Sequence, residues 1–265
     1  MRVLFLGTGT SHGVPAIGCD CPVCRSTDGR DNRLRSSIYL ECDDGLRVLV
    51  DTTTDLRQQA LRYGIRRVDA ILYTHAHADH IMGLDDVRRF NIMSGQPMPI
   101  YGDRSTLDDL RRTFDYVFQS DAPKGGGVPD LMLWTIGGAF CLGRQPIVPV
   151  PIEHGRWRIL GFRIGAFAYL TDCSGVPATS MPLLEGLDVL VIDALRKVPH
   201  PTHFTVDQAV ETSRRIGARQ TYFTHIAHDL SHAEVSGELP AGCALAYDGL
   251  AFDVSGETPA RVTRG

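Results

Sequence analysis

The run Thr74-His75-Ala76-His77-Ala78-Asp79-His80 follows an apolar segment, Val68 to Thr74, that reads as a strand. Four metal-capable side chains so close together limit how the chain can fold around them. One helix face would present histidines as H-x3-H, and that spacing is absent. In an extended loop alternate side chains point the same way, so His75 and His77 can share one ion, while Asp79 and His80 are offset toward a second. The small Ala76 and Ala78 leave room for that crowding. The sequence therefore predicts a metal centre on a loop at a strand end.

A second cluster, Cys19-Asp20-Cys21-Pro22-Val23-Cys24, lies near the N-terminus. C-x-C-x2-C on a tight loop aims its sulfurs at one point and suits zinc, but it supplies three ligands where a closed structural site uses four. The fourth must come from elsewhere in the chain. Cys42, Cys141, Cys173 and Cys243 are scattered singly through apolar surroundings and read as small buried hydrophobes. With no signal-peptide pattern in Met1 to Gly7, disulfides are not expected and the expected location is the cytoplasm.

Composition adds exclusions. The 265 residues carry 27 Lys and Arg against 31 Asp and Glu, a net charge of −4, and this mildly acidic balance without a basic block disfavours a charge-driven nucleic-acid binder. No apolar run approaches the roughly 20 residues of a membrane-spanning helix. A small-molecule partner is expected, with a homodimer as an admissible assembly.

Along the chain, Arg2 to Leu6 reads as a buried strand, and Ser37 to Glu41 and Arg47 to Asp51 as a hairpin turning on Asp43-Asp44-Gly45. Leu56 to Tyr63 has helical spacing and stops at Gly64. Helices are expected over Leu84 to Met93 and Ser105 to Phe118, with a strand at Pro99 to Tyr101 between them. Residues 120–129, with Gly125-Gly126-Gly127, form a candidate lid or exposed loop. Further strands are expected at Ile147 to Ile152, Trp157 to Ile164, Phe167 to Thr171, Val189 to Asp193 and Gln220 to Thr224. Val206 to Ile216 reads as a helix capped by Thr205. Gly7-Thr8-Gly9 fails the dinucleotide spacing G-x-G-x-x-G, since the next glycine is Gly13, and reads as a turn. Strands interleaved with helices suggest sheets covered by helices in one α/β (α+β) domain spanning 1–265.

The histidine run resembles the metallo-β-lactamase superfamily signature H-x-H-x-D-H. That resemblance implies a four-layer αββα sandwich and a two-metal hydrolytic centre. It implies His75, His77 and His154 on one ion, Asp79, His80 and His225 on the other, and Asp172, which closes Tyr169-Leu170-Thr171, as the bridge. Asp51 matches the aspartate behind the metal loop. His77 in second place, where a glutamate would mark the di-iron oxygen reductases, favours hydrolysis. The stretch Gly7-Thr8-Gly9-Thr10 through Gly13-Val14-Pro15 to the cysteines is similar to the phosphoribosyl cyclic phosphodiesterase branch. That branch implies His228 as fourth ligand of a structural zinc at about 18–25, and His203, with His200 as competitor, in proton transfer. His12 has no assigned role, and His232 reads as a surface residue.

The expected reaction is hydrolysis of a small phosphodiester, a cyclic phosphoribosyl ester among the candidates. A hydroxide bridging two divalent ions attacks phosphorus beside Asp172, and His203 protonates the leaving alkoxide. A histidine- and carboxylate-rich site accepts zinc, manganese or iron, and the branch resemblance favours manganese or zinc. Alternatives on the same scaffold are an ester, thioester or lactam hydrolase and an RNA 3′-processing nuclease. A non-catalytic metal-binding protein is disfavoured by the full ligand set.

Overall fold

The computed structural model describes residues 1–119, 121 and 127–254. Two seven-stranded mixed sheets make up its centre. The first runs β14 (Ala251–Asp253), β1 (Arg2–Gly7), β2 (Ser37–Glu41), β3 (Arg47–Val50), β4 (Ala70–Leu72), β5 (Met98–Gly102), β6 (Leu131–Thr135). The second runs β13 (Cys243–Leu245), β12 (Gln220–Thr224), β11 (Val189–Asp193), β10 (Phe167–Leu170), β9 (Trp157–Ile164), β8 (Gln145–His154), β7 (Phe140–Leu142). Each sheet has a parallel half, β3 to β6 and β10 to β13.

Three apolar cores stack between four layers. Val3, Phe5, Val48, Phe162 and Val191 meet between the sheets. Helices α1 (Leu56–Tyr63), α3 (Arg88–Ser94) and α4 (Arg104–Thr113) cover the outer face of the first sheet through Leu56, Phe90, Leu107 and Leu110. On the outer face of the second, α6 (Val206–Ile216) and α7 (His232–Glu238) pack Ala209, Val210 and Val235 against Leu190 and Ile192. In β11, Leu190 and Ile192 face the helices while Val189 and Val191 face the other sheet, which is why the strand reads as an unbroken apolar run. This is the expected αββα metallo-β-lactamase-like sandwich.

Several local expectations are corrected. Asp79 and His80 sit not in an extended loop but in a one-turn helix, α2 (Ala78–Ile81), which His77 precedes in an extended conformation. The helix expected from Ser105 breaks at Phe114, and α5 (Asp115–Phe118) follows; Leu84–Val87 is a 3-10 turn before α3. The strand expected over Val68 to Thr74 narrows to β4, because Thr74 onward turns into the histidine loop. His232 is buried against Tyr247, and Cys141 is exposed on β7, a strand at the sheet edge. Of the candidate lid, residues 120 and 122–126 lie outside the described residues.

Candidate metal centre

Strand ends converge on one point between the sheets. Asp51 follows β3, the histidine loop follows β4, His154 ends β8, Asp172 follows β10 by one residue, and His225 follows β12. Asp51, Asp172 and His225 all have left-handed backbone, at φ 64°, 55° and 59°. Asp and His tolerate that region better than most side chains, and clustered strain of this kind marks functional sites.

The donors form two groups. His75, His77 and His154 place one nitrogen each within 4.8 Å of one another, and so do the donor atoms of Asp79, His80, Asp172 and His225. Asp172 spans the two: its Oδ1 lies 4.0 Å from His75 Nε2 and 3.2 Å from His225 Nε2, and its Oδ2 lies 3.2 Å from His80 Nε2. Asp79 Oδ2 approaches His80 Nε2 at 3.3 Å and His225 Nε2 at 3.7 Å.

Behind the donors, Asp51 Oδ2 accepts from His80 Nδ1 at 2.8 Å and from Thr74 Oγ1 at 2.8 Å, while Oδ1 accepts from the Thr74 amide. His154 Nδ1 donates to the Thr202 carbonyl at 2.8 Å, leaving Nε2 for the centre. Burial pushes Asp172 upward, but His225 and His80 outweigh it and hold the carboxyl well below its ordinary range. Burial likewise lowers His225, yet Asp172 and Asp79 raise it to about 9. Burial takes His75 well below the ordinary imidazole value, with His80 adding to it.

The set fits divalent cations. His75 Nε2, His80 Nε2 and both His225 nitrogens are buried without an aligned hydrogen-bond partner. An unsatisfied buried polar atom costs about 1–3 kcal/mol. Here the three orphaned Nε2 atoms face Asp172, and those of His80 and His225 also face Asp79, an arrangement that cations between them would satisfy.

Beside this cluster, His203 Nδ1 donates to Asp193 Oδ2, which also accepts the Cys173 amide at 2.8 Å. Burial and then His225 push the His203 imidazole down to about 4. His200, the competitor, lies farther out and accepts from Thr202. Asp193 carries no spacing signal of its own in the sequence, although it closes an apolar strand as Asp51 and Asp172 do.

The cysteine loop finds its fourth donor. Cys19, Cys21 and Cys24 Sγ lie 3.2, 3.4 and 3.6 Å from His228 Nδ1. A tetrahedral ion with ordinary Zn–S and Zn–N bonds would set those edges near ~3.5 Å. The Cys24 amide, then His228, lower the Cys21 thiol to about 6, as a thiolate ligand requires. Ile226 is hydrogen-bonded to Thr8 and Thr10, and fully buried Arg33 clamps the same segment, donating to the Ala227 and Leu230 carbonyls and pairing with Asp31 at 2.8 Å. His225 and His228 are thus positioned by one braced loop.

With this geometry in hand, comparison with known proteins is decisive at the level of the family. A profile described as Beta-lactamase superfamily domain matches residues 46–226. The chain belongs to the β-lactamase superfamily. Within the superfamily it is similar to a solved structure described as a new diphosphatase from the PhnP family, with TM-score 0.90 and 46% identity over 96% of this chain and 98% of that one. This likeness is consistent with the phosphoribosyl cyclic phosphodiesterase branch. An octanoyltransferase of Porphyromonas gingivalis is 39% identical over 252 residues, 94% of this chain, which spans only 51% of that protein's length. Coenzyme PQQ synthesis protein B of Methylobacterium radiotolerans is 34% identical over 73% of this chain and 72% of its own. No helix among the described residues is long and apolar enough to cross a membrane.

Proposed function

We propose that the chain is a dinuclear metal-dependent phosphodiesterase acting on a small phosphodiester, a cyclic phosphoribosyl ester among the candidates. The carrying observation is the pair of donor sets joined at Asp172, with His203 braced by Asp193 beside them. His75, His77 and His154 would hold one divalent ion, and Asp79, His80 and His225 the other, manganese or zinc, with the Asp172 carboxylate available to both. When bound, the two cations supply Lewis acidity to the phosphoryl oxygens and ease ionisation of water. Asp172 accepts a hydrogen bond from the attacking water and orients it toward phosphorus. His203 Nε2 carries a proton to the leaving alkoxide, and Asp193 fixes the Nδ1–H tautomer. Cys19, Cys21, Cys24 and His228 would hold a structural zinc.

The 46% identity to a diphosphatase supports phosphate chemistry. The transferase name is not carried over, because the chain spans about half of that relative. We take 1–265 as one metallo-hydrolase domain working in the cytoplasm, where thiols stay reduced, as a monomer or homodimer. Protein reconstituted with Mn²⁺ or Zn²⁺ should hydrolyse bis(p-nitrophenyl) phosphate in preference to p-nitrophenyl phosphate, a thioester or a β-lactam. Turnover of the thioester or β-lactam alone would overturn the reading.

A further inference from the structure

The run Gly7-Thr8-Gly9 is not a turn. It continues from β1 as a bridged strip, with Gly9 paired to Arg35 and to Ile226. A Cβ on Gly9 would come within 2.7 Å of the Arg33 carbonyl oxygen and 2.9 Å of Arg33 Cβ, so glycine is what lets the two segments lie this close. Val14 also fixes Arg33, the two exchanging amide-to-carbonyl hydrogen bonds at 2.8 and 2.7 Å. From this held backbone a wholly buried side chain reaches the segment after β12. Its Nη1 donates to the Ala227 carbonyl at 3.3 Å, and its Nη2 donates to the Leu230 carbonyl at 2.9 Å and to Asp31 Oδ1 at 2.8 Å. Asp31 Oδ1 in turn accepts the His232 amide at 2.8 Å.

The segment so gripped begins with His225 at φ 59°, a conformation that a side chain keeps only where its surroundings over-determine it. Backbone contacts supply part of that constraint. The Ala194 amide donates to the Thr224 carbonyl at 3.0 Å, the Ile226 amide to Thr8 at 2.8 Å, the Thr10 amide to Ile226 at 3.1 Å and the Ala227 amide to Leu195 at 2.9 Å. Arg33 adds the hold on the Ala227 carbonyl, which lies between His225 and His228. A guanidinium suits the place because its fork serves two carbonyls and a carboxylate at once and keeps its charge when buried. We infer that Arg33 is a positioning residue for the metal centre: by clamping the Ala227 and Leu230 carbonyls it holds His225 in its left-handed conformation, so that the imidazole is presented to its ion whether or not the cysteine site is filled. Gly9 serves the same end by admitting Arg33. This inference rests on the reading of His225 as a donor to the second ion.

The test loads the full-length protein with Co²⁺ and combines Arg33→Met with Asp31→Asn, so that no carboxylate is left buried without its partner. This double variant should keep the wild-type circular dichroism and the thiolate-to-cobalt charge-transfer band of the cysteine site. It should bind one of the other two ions about tenfold more weakly in competition with a chelator. His225→Ala marks which ion that is, and Cys21→Ser should leave its affinity unchanged. Arg33→Lys keeps the charge beside Asp31 but not the fork, and should fall between wild type and the double variant. A merely structural role would lower the melting temperature and leave the affinity alone. A folded double variant with wild-type affinity would overturn the inference, as would a loss in Cys21→Ser equal to its own. Where the double variant does not fold, wild-type affinity in Arg33→Lys has the same consequence. If His225→Ala binds all its ions as wild type does, the donor reading of His225 fails first and takes the inference with it.

Discussion

His203 Nδ1 lies 2.6 Å from Asp193 Oδ2, and the His203 ring stacks on His225 at 4.6 Å with an interplanar angle of 10°. The proposed proton carrier is therefore fixed from behind by a carboxylate and from one side by a candidate metal donor. Its ring cannot turn without breaking one of those contacts. His203→Ala is expected to lower kcat by about 10²–10⁴-fold on a diester with a poor leaving group and much less on one with a nitrophenolate leaving group. Asp193→Asn should reproduce the same leaving-group dependence at smaller amplitude. Equal losses on both substrates would remove the proton-transfer role.

The cysteine site should be separable from the catalytic one. Cys21→Ser or His228→Ala is expected to lower metal content from three ions per chain to two, read by elemental analysis. The N-terminal loop should then gain protease sensitivity, because the ion that ties it to the segment after β12 is gone.

Asp51 touches no candidate ion directly, but it receives both the His80 imidazole and Thr74. Asp51→Asn should weaken metal affinity about 10–100-fold while leaving the fold intact, as expected for an outer-shell partner that orients a ligand ring. Competition with a chelator gives the affinity, and circular dichroism reports the fold.

Asp248 links the two ends of the chain, accepting from the Thr8 amide and hydroxyl and the Leu34 amide, and burial raises its carboxyl to about 7. Its folded pKa lies above the unfolded value of 3.8. The folded state therefore holds the proton more tightly, and this contribution is fully present below about pH 4 and lost as pH rises through about 7. Urea unfolding should show wild-type stability falling across that window relative to Asp248→Asn. Parallel pH profiles for the two proteins would refute the assignment.

Much of the site is legible in the sequence because its donors sit at strand ends, where an apolar run gives way to His or Asp. The spacing of His75, His77, Asp79 and His80 and the triplet of cysteines are local signals. His154, Asp172, His225 and His228 are each isolated in sequence, and only the resemblance to a known signature connected them. Asp193 and Arg33 carry no local signal for a related reason: a strand-ending aspartate and an arginine in a loop are ordinary until their partners are known.

The sequence by itself determined the chemistry available, imidazoles, carboxylates and thiolates in ligand spacing, and the alternation of strands and helices that builds the sandwich. Tertiary structure alone decided which donors meet. It carried His154, Asp172 and His225 to the His75 loop, set His203 and not His200 against Asp193, and turned His232 inward. Those outcomes depend on sheet order and on the stacking of two sheets, which carry His154, Asp172 and His225 across 79, 97 and 150 positions to His75. No local pattern encodes that.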